Sequence, residues 1–595
     1  MLTRKLLLLL SLFALGLGIA ACDDDGDKKN ATPDADTTTD LAEVLDDVDV
    51  LDDIDIHDVP VDQTAPTISN IILTENPANH LSASLEFETN ELATAQISIS
   101  SATGHAWTLA AGDTFATAFA VDLLGFRADS AYTVTISATD EAGNVGTDDT
   151  STFTTAPLPS DFPPLEVITA QSAAMAPGFT LFDVFRWVPT QQGPDGTYGL
   201  YLMLDNEGEV VWYYHPSHRP EDIRRLPNGN LLYNHSEHSI VEIDMMGRVI
   251  HEWYADRMGG TVPDGAIAVD TDTFHHEVAP LPNGNFIALS TEAKTLTPTD
   301  CPAYDADYLV VGDVIVEFVP ATGEVVNRWS LFDMIDPCRR IDHGFKSTFW
   351  EQAYGGDTVP TTADWTHSNA VVYDEANNVV MVSTRHQDWV IAFKYADDTN
   401  GSSGEVQWML GDEGNAGDYN GNNSFTLSGT DADWSYHTHA PELTKDGNIL
   451  LFDNGNLRPG TNFDDTDAAG NADLPYSRIV EYSLDTTNWT AEQTWVYKDF
   501  METDANGADI FYYAPFVGDA DELSNGNVLA DFGGLVDPHS DAIGSPVEKK
   551  YARILELTKD AVPSVVFEVQ IMDPAATDFV GYTVYRAERL ETLEP

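Results

Sequence analysis

The sequence predicts an all-β protein, a six-bladed β-propeller preceded by a small β-sandwich domain. Three observations predict it. First, a turn followed by an apolar strand recurs in "LPNGNLLYN" (226–234), "LPNGNFIALS" (281–290), "DEANNVVMVS" (374–383), "TKDGNILLFD" (444–453) and "LSNGNVLAD" (523–531). Asn-Gly pairs supply the positive φ that tight turns need. Second, a turn-and-strand ending in an aromatic recurs in "GEVVW" (208–212), "GRVIHEW" (247–253), "GEVVNRW" (323–329), "GEVQW" (404–408), "TAEQTW" (490–495) and "VPSVVFE" (562–568). Six closing strands imply six blades, and a third strand such as "SIVEID", "VIVEF", "RIVEY" or "RILEL" lies between the two elements. Third, residues 64–157 alternate apolar and polar residues between turn signals, the pattern of a separate antiparallel sandwich.

Taken in chain order, the first element is an address. "MLTRKLLLLLSLFALGLGIAAC" has Arg4 and Lys5, an apolar run and small residues before Cys22. The run is too short, with the wrong flanks, for a spanning helix, so residues 1–21 read as a secretory signal peptide. Ile19-Ala20-Ala21-Cys22 resembles a bacterial lipobox, which implies cleavage before Cys22 and lipidation of its thiol. The chain is then expected to be an exported bacterial lipoprotein, anchored to a membrane by lipid and facing the periplasm or the cell surface.

Residues 22–63 are Asp-rich and almost free of aromatics, so they cannot bury enough apolar surface to offset their ordering entropy. They read as an acidic disordered tether. In the sandwich at 64–157, "LLGFRADSAYTVTISATDEAGN" resembles the closing strands of fibronectin type III and bacterial Ig-like modules, with Tyr132 at the tyrosine-corner position. "TTAPLPSDFPP" (154–164) is a Pro-rich linker, and the propeller occupies 165–595.

Composition bounds the function. Lys+Arg number 28 against 98 Asp+Glu, a formal net charge of −70, so nucleic acid is excluded as a partner for any basic surface. The acidity is read as solubility. Cys301 and Cys338 can pair in an exported protein, and a disulfide between them is the expectation; a thiol nucleophile would need a nearby base that the sequence does not signal. "DYNGNN" (418–423) and "DDTDAAGNAD" (464–473) read as solvated turns, because the first lacks the Glu that completes a calcium loop. A homodimer is left open.

Propeller active sites usually lie on the axis, where inner strands begin. Setting "ILLFD" on "FIALS" places His439 over His276, and setting it on "VVMVS" places His437 over His367 and His439 over Asn369. The repeat explains why these positions coincide but not why they carry imidazole. "STRHQDWV" (383–390) puts Arg385 just beyond a strand of the same blade as His367 and Asn369. Histidines, a guanidinium fork and an amide around a pit suit an oxyanion such as phosphate or sulfate. His276, His367 and His439 could alternatively ligate zinc or manganese in a hydrolase or lyase, but Arg385 would repel a cation and no HExxH-type spacing occurs. A non-catalytic propeller that binds a partner at the cell surface is the other alternative.

The repeats together with "HHE", "HSN" followed by "STRHQ", and "HTHAPELTKDGNILLFDNG" followed by "YSRIVEY" resemble bacterial arylsulfate sulfotransferases over roughly 170–590. The resemblance implies an exported six-bladed propeller. It would move a sulfuryl group from a phenolic sulfate ester to a phenol by a ping-pong route through a sulfated histidine, without a nucleotide sulfate donor, cofactor or metal. It also implies roles: His439 as the sulfated nucleophile, with His367, Asn369 and Arg385 holding the sulfuryl oxygens. A further active-site histidine lies in "HHE". Strand alignment favours His276 but leaves His275 open, and the role of His437 is open as well.

Overall fold

Each repeat closes on itself through hydrogen bonds between the two motifs read above. In the sheet that starts at Ile223, Asn228 and Asn230 of the turn donate to Glu242 Oε1 of the third strand, at 2.9 and 2.6 Å. The same pairing joins Asn283 and Asn285 to Glu317, Asn448 to Glu481, and Asn527 to Glu556. The Glu of "VEI", "VEF", "VEY" and "LEL" is thus the acceptor that the Asn-Gly-Asn turn requires. A buried carboxylate is costly unless donors such as these meet it.

The computed structural model describes residues 62–593 apart from 113, 188–197, 340–347, 356–361, 413–423, 462–473, 504–506, 508, 537–549 and 574–580. The segments read above as a signal peptide and, up to residue 61, as a tether, with Cys22 and the two calcium-loop-like segments, lie outside the described residues. Among the described residues no helix is long and apolar enough to cross a membrane. All the strands named below belong to the unit Gln63–Pro595.

Among the described residues, six mainly antiparallel sheets follow one another in a propeller-like arrangement. The second contains Ile223–Arg225, Leu231–Ser236, Ser239–Ile243 and Val249–Ala255. The third contains Val278–Pro280, Phe286–Leu296, Tyr308–Phe318 and Val325–Ser330. The fourth contains Ser368–Asp374, Val379–Thr384, Trp389–Lys394 and Val406–Leu410. The fifth contains His439–Leu443, Ile449–Asp453, Arg478–Asp485 and Thr490–Tyr497. The first and sixth are assembled from both ends of the chain. Ala587–Leu590 pairs with Phe179–Trp187 in the first, and Leu165–Ala170 pairs with Val565–Ile571 in the sixth.

The cores lie between sheets and not within them. Leu232, Ile240 and Trp253 of the second sheet pack with Val278, Ala288 and Val314 of the third. Leu450 and Phe452 of the fifth pack with Val528 and Phe532 of the sixth. Leu529, Ile554 and Val569 of the sixth pack with Val184, Leu200 and Leu204 of the first, which closes the ring. The aromatic at the end of each closing strand reaches the next sheet. Trp212 Nε1 donates to Met245 O at 2.7 Å, Trp253 to Pro320 O at 2.8 Å, Trp329 to Ser403 Oγ at 2.8 Å and Trp495 to Asp560 O at 3.1 Å. A large ring with one N–H suits this place, apolar in the core and polar at its rim.

Ahead of the ring, six strands from Ile68 to Thr154 form one antiparallel set in which the long strand Ala83–Ser101 serves both halves. Its register breaks between Glu88 and Ala93; one part pairs with Ile68–Glu75 and Ala116–Leu123, the other with Ala106–Ala110 and Ala131–Asp140. The Tyr132 hydroxyl accepts the Arg127 amide at 2.9 Å, and Arg127 Nε donates to Asp205 Oδ2 at 2.8 Å in the first sheet of the ring. Cys301 and Cys338 form a disulfide with Cα atoms 5.5 Å apart.

Candidate active site

The inner strands of the third, fourth and fifth sheets begin side by side, and the residues at their starts are histidines. His276, His367 and His437 all adopt left-handed backbone, with φ of 58°, 47° and 54°. Non-glycine residues in this region cost about 1–3 kcal/mol each and gather where a fixed side-chain direction is required. Counting without gaps equates His439 with His276. In the fifth sheet, however, the register shifts between His439 and Glu442, at Ala440 with φ 47°. The one extra residue moves the register by one and leaves His439 on the strand itself, which starts at His439, while the left-handed backbone is what His437 shares with His276.

The imidazoles form a belt. Ring centroids of His275 and His276 are 5.0 Å apart, His276 and His367 5.1 Å, His367 and His386 4.6 Å, and His386 and His437 5.9 Å. His367 is turned by Asp364, whose Oδ2 lies 2.6 Å from its Nδ1. His437 is pinned by Asp388 Oδ1, which takes its backbone N–H and faces its Nδ1, both at 2.8 Å.

His439 is buried, at 4% exposure, and its orientation is set by Asn454. Asn454 Nδ2 donates to the carbonyls of Ala514 and Val517, each at 2.8 Å, so its Oδ1 must face His439 Nδ1, 2.6 Å away. An amide oxygen only accepts, so Nδ1 carries the proton and Nε2 carries the lone pair. Burial and then the positive charge of Arg385 hold His439 well below the usual imidazole range, against the Asn454 hydrogen bond. It is a neutral imidazole at any pH near 7.

Arg385 opens the short 3₁₀ turn Arg385–Gln387. Its Nη1 donates to His386 Nε2 at 2.8 Å and its Nη2 to Pro515 O at 2.9 Å, and its buried Nε has no partner among the described residues. His386 in turn bonds Asp364 O through Nδ1 at 2.6 Å. The guanidinium is thereby fixed from two sides. Asn369 is fully buried, with its Nδ2 on Thr438 O at 2.8 Å, so its amide holds the residue before His439. The Asn369 carbonyl accepts from Tyr585 Oη at 3.0 Å and Arg586 Nη2 at 2.8 Å.

Of the sequence-singled residues, His275, His276, His367 and His437 make up this belt, Arg385 is bonded to its His386, His439 lies within electrostatic reach of Arg385, His367 and His276, and the Asn369 amide holds Thr438 beside His439. Cys22 is outside the described residues, and the Cys301–Cys338 bridge is elsewhere. Among the described residues, donor atoms of Asp364, His367 and His386 lie within 4.8 Å of one another; His276 and His439 do not join that group. Sequence reasoning passed over His386, Asp364, Asp388, Asn454 and Tyr585. His386 and Asp388 stand inside "RHQD" and Asn454 inside "FDNG", but nothing in the sequence marks Asp364 or Tyr585.

The profile of the arylsulfotransferase (ASST) family matches residues 166–582. Arylsulfate sulfotransferase AssT of Escherichia coli O6:H1 is 24% identical over 434 residues, covering 65% of this chain and 64% of its own. AssT of Lelliottia amnigena is 25% identical over 436 residues, with the same coverage. The chain therefore spans about 64% of the length of these relatives. A solved protein of unknown function from Bacteroides caccae aligns with 69% of this chain and all of its own at 14% identity, with a TM-score of 0.32, too low to argue from. The family match covers the ring of sheets up to residue 582, short of its last strand Ala587–Leu590, and every histidine of the belt, and the chain belongs to the arylsulfotransferase (ASST) family.

Proposed function

We propose that the chain is an aryl-sulfate sulfotransferase that moves a sulfuryl group from a phenolic sulfate ester to a phenolic acceptor, by a ping-pong route through a sulfated His439. Family membership supports the reaction class. The observation that carries the mechanism is the Asn454–His439 hydrogen bond, which leaves a neutral imidazole with its lone pair on Nε2, in the field of the Arg385 guanidinium. Neutral imidazole is a competent nucleophile, and a covalent intermediate divides one difficult transfer into two.

In the first half-reaction His439 Nε2 attacks sulfur and the aryl oxygen departs. Arg385 and His367 hold the sulfuryl oxygens, and charge developing there meets donors that are already in place. His276, half-buried opposite, serves the aryl oxygen. In the second half-reaction a phenol takes the group from His439. Asn369 acts on the strand that carries His439, through Thr438 O, and His437 stiffens the belt through Asp388. The chemistry requires no nucleotide sulfate donor and no metal. The exported, lipid-anchored setting is part of the proposal and rests on the lipobox-like Ile19-Ala20-Ala21-Cys22, as does the reading of 64–157 as a fibronectin III/Ig-like module, which rests on the Tyr132 corner.

The test is intact mass after exposure to an aryl sulfate alone. The expected result is a sulfuryl adduct on the peptide containing His439, discharged by added phenol and absent in His439→Ala. An unmodified protein that still releases phenol, or activity removed by a chelator, would overturn the covalent reading.

A further inference from the structure

Two ring nitrogens at one end of the belt stand at hydrogen-bond distance. His275 Nδ1 lies 2.8 Å from His276 Nδ1, with the rings at 89°. At its other nitrogen His275 meets only acceptors, the Ser290 carbonyl at 3.2 Å and Asp313 Oδ1 at 3.3 Å. His275 Nε2 therefore always carries hydrogen. The proton between the two Nδ1 atoms belongs either to His275, making it an imidazolium paired with Asp313, or to His276. Asp313 is prepared for such a partner. Its Oδ2 accepts from Thr366 Oγ1 at 2.6 Å and from the Ser368 amide at 2.5 Å, so its carboxylate is buried, ionised and immobile. His275 and Asp313 are 6% and 3% exposed and touch no solvent-facing site themselves, whereas His276 is half-buried in the belt.

We propose that Asp313, His275 and His276 form a proton relay that takes the proton of the acceptor phenol and returns it to the leaving oxygen of the next donor. It rests on the sulfuryl-transfer reading. In the donor half-reaction the S–O(aryl) bond breaks and the His439 Nε2–S bond forms. The aryl oxygen takes the proton of His276 Nε2, and His276 Nδ1 takes the proton of His275 Nδ1. The donor's one negative charge and the imidazolium's positive charge cancel, leaving a neutral phenol, a neutral relay and the sulfated histidine. The acceptor half-reaction runs the same transfers backwards: the new S–O bond forms, the N–S bond breaks, and the phenol's proton returns through His276 to His275. No proton is exchanged with solvent over the cycle. The resting position agrees with the environment. Burial opposes a charge on His275, but the Asp313 hydrogen bond and charge outweigh it and raise the group above the usual imidazole range. His276 is held well below that range by burial and then by the charge of His275.

His275 and Asp313 are positioning residues here, and the test separates that role from a structural one. Aryl sulfates with a good and a poor leaving group, 4-nitrophenyl sulfate and phenyl sulfate, are compared in Asp313→Asn and His275→Gln with one phenol acceptor. A general acid matters most where the leaving oxygen is basic, and its loss costs on the order of 100-fold. The expected result is that kcat/KM for phenyl sulfate falls by about that factor and for the nitrophenyl ester by much less. The ratio of the two donors' kcat/KM then rises at least about tenfold. An equal loss with both donors in a variant that melts like the wild type overturns the relay, and so does an unchanged ratio. If Asp313→Asn does not fold, His275→Gln, whose amide keeps a donor for the Ser290 carbonyl, decides the question. A wild type that turns over neither ester would instead sink the sulfuryl-transfer reading.

Discussion

His439 faces an amide where a catalytic histidine often faces a carboxylate, and the difference sets its charge. Asn454 fixes the Nδ1 tautomer without stabilising the imidazolium, while Arg385, His367 and Arg586 all oppose protonation. Asn454→Asp would place a negative charge against Nδ1, which raises an imidazole by about 1–3 pH units. Protonated His439 has no lone pair, so the acid limb of kcat/KM should move upward by a similar amount while the rate on the alkaline side survives. A pH–rate profile checks this, and an unmoved acid limb would mean that His439 is not the nucleophile. The belt was legible in the sequence because each of its predicted histidines sits at the start of a repeat, with Arg385 beside them. Asn454, Asp364 and Asp388 were not, because their meaning lies in which nitrogen of which ring they face. The bulge at Ala440 was also hidden; one inserted residue in a strand leaves no compositional trace, yet it takes His439 out of the position over His276 that gap-free counting gives it.

The recurring elements explain one another once the hydrogen bonds are known. Alternation and Asn-Gly turns were enough to read the strands, since both are local. The reason for a Glu in the third strand was not readable, because its partners lie 12 to 34 residues away in the chain. Glu317 shows how strongly such a group is used. Asn283, Asn285, Asn327 and Tyr395 all donate to its carboxylate, and although burial works against ionisation these donors hold it below the usual Glu range. Glu317→Gln replaces one acceptor oxygen by an NH₂ that meets donors. The expected loss is about 1–3 kcal/mol of unfolding free energy by denaturant titration. The exposed Glu324→Gln on the neighbouring turn should stay within about 0.5 kcal/mol. Equal effects would deny the turn-locking role. The two sheets built from both chain ends lay beyond sequence reading for a related reason, since Ala587–Leu590 and Leu165–Ala170 carry no sign of the distant strands they complete.

At the scale of the whole molecule the acidity has a focus. Along the inner strands just beyond the histidines lies a cavity of about 600 Å³ lined by Asp222, Glu277, Glu442, Asp519, Asp521 and Glu588, with Arg224 and Arg586 among them. Arg586 pairs with Glu277 at 3.1 Å, but the acids outnumber the guanidinium groups. Burial and mutual repulsion then favour the neutral forms: Glu442 is pushed up to about 8, Glu588 to about 7 and Asp519 to about 6. Glu442 faces Asp519 and Glu522, with Lys559 as its nearby cation and the Glu522 amide donating to its Oε2 at 2.8 Å. Carboxyls raised in the fold bind protons that the unfolded chain, titrating near about 4, has already released. Their contribution to stability is therefore complete below about pH 4 and is lost as pH rises through about 6 to 8. Glu317 and Glu242, held low, act in the opposite sense and fail only in acid. The melting temperature should consequently fall between about pH 6 and about pH 8.5, in a range where an ordinary acidic surface is already fully ionised. Glu442→Gln keeps the acceptor oxygen for the Glu522 amide and removes one of the ionisations, so it should melt higher than the wild type at the alkaline end and alike at the acid end. Parallel melting curves across the pH range for the two proteins would show that the ring of acids is not the source, and that the formal net charge of −70 acts only through the surface.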